Sequence, residues 1–345
     1  MAGADIGGAE LFFERLSIAM RKKNSIEQRV LIRENASRKE RLQKGGVDPV
    51  ELKFGGKLDW ATPRAIKREI KKFKPDIVLT WMNRASSMCP KAKNAEFVHV
   101  ARLGGYYNLK YYQNCDQLIG NTEHIKDYLI GEGWPQDKAH YLPNFVSREQ
   151  PPAVDRKTYF TPEGAPLIVA LGRLHENKAF DVLLNALSRV PGAYLWIAGD
   201  GPLLGQLDKL AEKVAVKPRV RFLGWRDDST ALLQAADLFV CPSRHEPLGN
   251  TIIEAWAQQT PIVAADSYGP GTLITHLKSG VLVPVDDAVT MAKAIKNVIE
   301  DPALATRIVE NGYAEFEEKY TEEVVTAQYL EFFRKVLEPC AASPV

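Results

Sequence analysis

The sequence predicts an α/β protein of two domains, each with helices wound on both faces of a parallel sheet. Three observations carry that expectation. Short apolar runs of the kind that form buried parallel strands recur along the chain, and segments with a helical apolar period separate them. The alternation lapses between Ser147 and Pro166, where Pro151, Pro152, Pro162 and Pro166 punctuate a polar stretch that reads as an interdomain linker. The length, 345 residues, suits two domains.

The first domain is expected over residues 1–150. Residues 8–23 place Ala9, Phe12, Phe13, Leu16 and Ala19 or Met20 on one helical face. Val30-Leu-Ile then reads as a strand, a basic helix follows Asn35, and Val50 to Phe54 reads as another strand. Pro63 opens a helix that runs through Ile66 and Ile70 toward Phe73, and its Lys67, Arg68, Lys71, Lys72 and Lys74 form the densest basic patch in the chain. Asp76-Ile-Val-Leu-Thr80 and Phe97-Val-His-Val-Ala101 are apolar strands. Leu118-Ile119 and Tyr141-Leu142 follow the same logic, with a helix from Thr122 between them.

The second domain is expected over residues 151–320. Leu167-Ile-Val-Ala-Leu171 is its first strand, and Phe180, Leu183, Leu184 and Leu187 then recur at i, i+3, i+4, i+7 as a helix buries them. Further strands are expected at Tyr194 to Ala198, Val220 to Leu223, Leu238 to Cys241 and Ile262 to Ala264. Helical patterns fill 288–300 and 302–318, and a last helix runs from Glu322 to Leu337.

Composition bounds the function. Apolar residues at 45% and charged residues at 26% are the proportions of a globular protein with a core. No apolar run reaches the ~18 residues a membrane span needs, and no signal peptide is visible. Cys89, Cys115, Cys241 and Cys340 are scattered without a Cys-x-x-Cys, which disfavours a disulfide framework or a zinc site and fits a reducing cytoplasm. The net charge of +2 hides an asymmetry: residues 1–150 carry +8 and the remainder −6. Two readings of the basic half stay open, a solvated face and a surface for an anionic membrane or acidic acceptor. No basic–aromatic module for nucleic acid is present.

The chemistry is expected where Phe239-Val-Cys-Pro-Ser-Arg-His-Glu-Pro-Leu-Gly-Asn-Thr-Ile-Ile-Glu-Ala-Trp-Ala257 passes from strand through a polar loop into a helix. Gly249 or Asn250 can cap that helix, so loop amides and a partly positive helix N-terminus sit at the carboxyl end of a strand. Open α/β sheets bind anionic ligands there. Two glutamates, Glu246 and Glu254, flank the spot.

Pro242-Ser243, Glu246, Gly249, Glu254-Ala255, Ala257 and then Pro261-Ile-Val-Ala resemble the E-x7-E region of family 4 retaining glycosyltransferases of GT-B fold, the group 1 enzymes of lipopolysaccharide-core type. The resemblance continues through Gly7-Gly8-Ala9-Glu10, Leu142-Pro143-Asn144, Gly172-Arg173-Leu174 with Lys178, Gly199-Asp200-Gly201-Pro202 and Phe222-Leu-Gly-Trp225, in the family's order. It implies two Rossmann-like domains facing across a cleft, with a helix in 321–345 that crosses back onto the N-terminal domain. It also implies a nucleotide-sugar donor and no cofactor. In the family's relatives a first, central strand precedes the Gly-Gly turn. Here Met1-Ala-Gly-Ala-Asp-Ile is too short and polar for it. That strand is therefore expected to be missing, and the true start to lie upstream.

Transfer from a nucleotide-sugar needs positive charge where the diphosphate leaves. The chain contains no Asp-x-Asp to hold a divalent metal. Arg173 and Lys178 can supply the charge instead, as a bidentate fork and a point charge, so no metal is expected. By the resemblance Glu254 meets the ribose hydroxyls, Glu246 lies near the donor sugar, and the amides from Leu248 through Gly249, Asn250 and Thr251 contact diphosphate or sugar. Gly7, Gly8, Gly172, Gly199 and Gly224 let backbone approach the donor. Many relatives carry a histidine after the strand at 97–101. Strand alternation puts His99 and Arg102 on opposite faces, and Arg102 is favoured in the cleft as a catalytic residue, with His99 internal. Trp81, Asn83, Arg84, His99 and Tyr106 are the acceptor-side candidates, and His245 is a candidate for shaping the sugar pocket.

The expected function is a retaining, metal-independent hexosyltransferase moving a sugar from a nucleotide donor, with uracil the favoured base, to a glycan or lipid-linked acceptor in surface-polysaccharide or lipopolysaccharide synthesis. The expected setting is the cytoplasm or the inner face of the membrane. The alternative is a non-catalytic binding protein of the same fold. A dinucleotide oxidoreductase is disfavoured by the lack of Gly-x-Gly-x-x-Gly between a strand and a helix.

Overall fold

The computed structural model describes residues 1–338 apart from 6, 25, 57 and 93–95. The chain divides into two compact units, Met1–Phe145 together with Glu322–Val345, and Val146–Thr321. The first break falls before the Pro-rich stretch. That stretch is no free linker: Arg156 donates to Ala235 O at 2.7 Å and pairs with Asp237, and Thr161 Oγ1 accepts from Trp196 Nε1 at 2.9 Å. The prolines mark a segment that follows the surface of the second unit and belongs to it.

The first unit contains α1 (Gly8–Lys23), β1 (Leu31–Arg33), α2 (Ala36–Lys44), β2 (Val50–Leu52), α3 (Ala61–Phe73), β3 (Ile77–Trp81), α4 (Met82–Met88), β4 (Val98–Leu103), β5 (Gln117–Gly120), α5 (Glu123–Gly131) and β6 (Ala139–Tyr141). Local chemistry explains the boundaries. Asn35 caps α2 by accepting from Arg38 N, and Thr122 caps α5 by accepting from Ile125 N. Lys74 ends α3 in the left-handed region at φ 52°. The short α4 has no apolar period in its sequence and was not expected.

All strand pairs in this unit are parallel, but they fall into two separate pieces, β1-β2 and β3-β4-β5-β6. Between the facing edges of β1 and β3 lies a slot of about 530 Å³, floored by Phe13 and Leu16 of α1 and flanked by Ile66 and Ile70 of α3. Met1 alone begins a ladder there. Its amine donates to Leu31 O at 2.8 Å, and its carbonyl accepts from Arg33 N at 2.9 Å. Burial, helped by Arg38, pushes that amine down to about 5.

The second unit contains β7 (Leu167–Leu171), α6 (Phe180–Leu187), β8 (Tyr194–Ala198), α7 (Leu204–Lys213), β9 (Val220–Gly224), α8 (Ser229–Ala235), β10 (Leu238–Cys241), α9 (Asn250–Ala257), β11 (Ile262–Ala265), α10 (Tyr268–Leu273), β12 (Val281–Val283), α11 (Ala288–Glu300) and α12 (Pro302–Lys319). Its strands form one parallel sheet in the order β12-β11-β10-β7-β8-β9. Successive strands step outward from β7 to β9, and the chain then returns to the other side of β7. The junction of β7 and β10 is therefore the topological switch point. Both faces are covered, one by a core under α6 and α11, the other by a core that includes Trp196, Ile252 and Trp256.

The last helix, α13 (Glu322–Leu337), belongs to the first unit, where Val325, Tyr329 and Phe332 are buried against α1. Cys89, Cys115 and Cys241 are buried free thiols, and Cys340 lies outside the described residues. No described helix is long and apolar enough to cross a membrane.

Candidate active site

The strongest candidate lies at the switch point of the second unit. In an open parallel sheet the loops leaving two neighbouring strands diverge there, opening a crevice at their carboxyl ends. The loop after β7 carries Gly172, Arg173 and Lys178, and the loop after β10 carries Glu246 and leads into α9. The two loops meet through side chains, since Lys178 Nζ donates to Glu246 Oε2. The side chains retain 23% and 13% of their exposure, so the pair is largely but not wholly dry. Burial, the largest single influence, drags the Lys178 ammonium down, but the Glu246 charge and hydrogen bond together with the Cys241 sulfur outweigh it and hold the group above the ordinary lysine value.

Glycine backbone sets the floor of the crevice. Gly199 adopts φ 152°, and a Cβ there would lie 1.9 Å from Gly172 O, so a side chain cannot be accommodated without moving the strand ends apart. Gly199 N donates to Gly224 O at 2.7 Å, and Gly172 N donates to Ala198 O at 3.0 Å. These bonds tie the ends of β7, β8 and β9 into one ledge. Arg173 is exposed, and its guanidinium has no partner among the described residues.

On the opposite side Gly249, at φ 84°, turns the chain into α9 without a side-chain cap. Leu248 and Gly249 are buried, while Asn250, Thr251 and Glu254 lie half-buried on the first turns of the helix. The loop is held from behind. Arg244 forks onto Asp181 at 2.7 and 3.0 Å, reaches Asp286 at 2.5 Å and donates to Glu176 O at 2.8 Å. His245, exposed, donates its backbone N–H to Asn177 O at 3.2 Å, and Glu246 O accepts from Gly269 N at 2.7 Å. The Arg244 clamp was missed in the sequence because its partners are 63 and 42 positions away.

In the first unit the expectations fare differently. Arg102, expected in a cleft, is 1% exposed. Its guanidinium donates to Tyr329 Oη at 2.7 Å and to Asn144 Oδ1, and lies 4.6 Å from the Phe12 ring centroid and 4.9 Å from that of Trp81. The reason is that β4 runs two residues beyond the expected strand, to Leu103, so Arg102 sits within it and points into the α13 side of the sheet. Arg102 is thus a buried cross-link between β4, α13 and Asn144, and not the open cleft residue expected for catalysis. His99 is buried too, with Nε2 3.0 Å from Thr80 Oγ1 and Nδ1 2.9 Å from Asn114 O, and burial lowers its pKa. It does not reach an acceptor-side surface. Tyr106 is 39% exposed and bonds to His124 Nδ1 at 2.9 Å. Asn83 and Arg84 lie on α4, lining a second cavity of about 650 Å³. Gly7 precedes α1 and Gly8 opens it, and a Cβ at Gly7 would lie 2.4 Å from the buried Glu10 carboxylate. Among the described residues no group of three His, Cys, Asp or Glu is placed to hold a metal ion.

Two α/β units, each built on parallel sheets, are the architecture of the GT-B fold. The family profile for group 1 glycosyl transferases matches residues 153–315, and that for glycosyltransferase family 4 matches residues 6–150. The chain belongs to glycosyltransferase family 4. It is 37% identical over 328 residues to the lipopolysaccharide core biosynthesis glycosyltransferase LpsE of Rhizobium meliloti, covering 94% of this chain and 95% of that one. It is 34% identical over 333 residues to LpsD of the same organism, covering 95% of each. Among solved structures, that of Anabaena Alr3699/HepE in complex with UDP and glucose superposes with a TM-score of 0.81 at 18% identity, over 96% of this chain and 98% of that one. The last likeness is one of fold.

Proposed function

We propose that the protein is a retaining, metal-independent hexosyltransferase that uses a UDP-sugar and extends a glycan or lipid-linked acceptor during lipopolysaccharide-core assembly. The observation that carries this reading is the meeting of Lys178 and Glu246 across the β7–β10 switch point, beside the unpaired Arg173. In the reaction the bond from the sugar anomeric carbon to the diphosphate oxygen breaks. A bond from an acceptor hydroxyl forms on the same face, and the hydroxyl proton passes to the departing phosphate. Arg173 and Lys178 meet the charge that grows on the diphosphate, and the N-terminus of α9 adds its partial charge. Glu254 accepts hydrogen bonds from the ribose, and Glu246 orients both Lys178 and the sugar. The ledge of Gly172, Gly199 and Gly224 lets the nucleotide approach backbone.

The likeness to LpsE and LpsD over nearly the whole chain supports the core-assembly setting. A membrane-borne acceptor also suits α3, whose exposed Arg64, Lys67, Arg68, Lys71 and Lys72 adjoin the exposed Leu58 and Trp60. We place the enzyme in the cytoplasm, at the inner membrane face.

A melting screen with UDP-, GDP- and ADP-sugars tests the donor: a UDP-sugar should raise Tm most, and preference for another base would overturn that assignment. NMR of the product should show the donor's anomeric configuration kept, with turnover unchanged by chelator. Inversion or a strict metal requirement would refute the mechanism. Donor binding without hydrolysis or transfer would leave a binding protein.

A further inference from the structure

The second cavity of the first unit, about 650 Å³, is lined by residues at or just after the carboxyl ends of β1 and β2 in one parallel piece and of β3 and β4 in the other. Arg33 is the last residue of β1, Gly55 and Gly56 follow β2, Met82 to Arg84 follow β3, and Tyr107 and Tyr111 follow β4. In parallel α/β sheets the carboxyl ends of the strands are the side on which ligands bind.

The lining is positive. It contains two arginines and no carboxylate. Arg33 is exposed, and its side chain has no partner among the described residues. Arg84 commits one N–H to Phe54 O at 3.1 Å, leaving most of its fork open. The carboxylates behind the lining form no ion pair with either arginine: Asp59 accepts from Thr62 and from the amides of Gly55, Ala61 and Thr62, and Glu10 accepts from the amide of Ala4. Lys110 brings a further cation, its Nζ 5.1 Å from the Tyr111 ring centroid. Met82 holds φ 63°, a left-handed conformation that a residue with a side chain adopts only at a cost. That turn swings Asn83 and Arg84 to the cavity. Two tyrosine rings supply flat apolar faces of the kind on which a pyranose ring packs, and planar guanidinium forks match the oxygens of a phosphate or carboxylate.

We propose that this cavity is the acceptor subsite and that it selects a sugar bearing an anionic group, gripped by Arg33 and Arg84 with the ring against Tyr107 and Tyr111. The proposal rests on the glycosyltransferase reading above and names its acceptor class. Phosphate and carboxylate share the recognising chemistry, so the test includes both.

Saturation-transfer NMR on the full chain, with glucose 6-phosphate, glucuronate and methyl glucoside as probes, measures the subsite directly. At low salt at least one anionic sugar should bind at least tenfold more tightly than methyl glucoside, and that advantage should shrink as salt is raised. The tighter of the two anions identifies the group. R33Q and R84Q should each weaken the anionic sugar about tenfold, and R33K should recover part of the loss. The rise in Tm produced by UDP, read in the same variants, should stay at its wild-type value. Equal binding of neutral and anionic sugars, or variants that bind like wild type, would overturn the subsite while a persisting UDP shift left the donor reading standing. Absence of any nucleotide shift in wild type would instead remove the reading beneath it.

Discussion

The Lys178–Glu246 pair gives a test in which stability and catalysis separate. Replacing Lys178 with Met keeps the chain's bulk but leaves the Glu246 carboxylate without its partner. Breaking a fully buried pair costs about 3–5 kcal/mol. With 23% and 13% of the two side chains still exposed, water softens the loss, and we expect about 2 kcal/mol for Lys178→Met and a similar figure for Glu246→Gln. The double variant carries no stranded charge and should recover to within about 1 kcal/mol of wild type. Activity should behave otherwise. If Lys178 meets the departing diphosphate, its loss removes about 2–4 kcal/mol of transition-state stabilisation, and the double variant cannot recover it. Urea unfolding at constant m gives the first quantity and kcat for donor turnover the second. The pH dependence follows from the raised pKa. While Glu246 is ionised, the contribution of the Lys178 ammonium is fully present below the unfolded-state value of 10.5 and is lost only as pH rises through the higher folded value. Between pH 6 and 9 no limb of the rate profile should therefore belong to Lys178. A double variant that regains activity together with stability would show the pair to be structural and refute the reasoning.

Four further outcomes are expected. Glu254→Gln should lose about 1.5–3 kcal/mol of UDP-sugar binding, whereas a 2′,3′-dideoxy donor should bind variant and wild type alike; an unequal loss with that donor places Glu254 away from the ribose. Gly199→Ala, with its Cβ forced to 1.9 Å from Gly172 O at φ 152°, should lower Tm and abolish the UDP-induced shift, while Gly131→Ala, which meets nothing within 4 Å, should not lower Tm and should keep the shift; an unaltered Gly199→Ala would unseat the ledge. The Met1 amine, pushed from 8.0 to about 5 by burial, should make stability climb by up to about 4 kcal/mol as pH rises from 5 to 8, because the unfolded chain holds the extra proton over that window. Joining about five Val or Ile residues ahead of Met1 should remove the climb and raise Tm above that of an equally long Ser/Gly extension, by filling the slot between β1 and β3. Equal melting of the two extensions would show that the slot accepts no strand.

Local signals made most of the second unit legible. The strands at Leu167, Tyr194 and Leu238 begin and end where their apolar runs do, and the i, i+3, i+4, i+7 pattern of Phe180 to Leu187 is the buried face of α6. The loop into α9 was legible because glycine, proline and acidic residues at fixed spacing describe backbone geometry. Arg102 was misread because alternation gives a strand's faces but not its length, and its partner Tyr329 is 227 positions away. The same limit hid Arg33, an unremarkable cation at a strand end until four loops were brought around it. The helix α4 was invisible because a left-handed Met82 starts it where the sequence offers neither cap nor apolar stripe.

That α13 completes the first unit has a consequence for how the chain is made. The segment 146–321 is continuous and can fold as soon as it leaves the ribosome, whereas the earlier residues 1–145 lack the helix that covers their core. Until Tyr329 emerges, the Arg102 Nε–H has no phenol oxygen to accept its hydrogen bond, and Phe12 and Trp81 lack part of their apolar cover. At ~5–20 residues per second the intervening segment takes roughly 10–35 s to make, so the first unit waits that long half-covered and in need of protection from self-association. Assembly is thus inverted with respect to synthesis. The second half of the protein is finished first, and a stop codon shortly before Glu322 would disable the half that was made earliest.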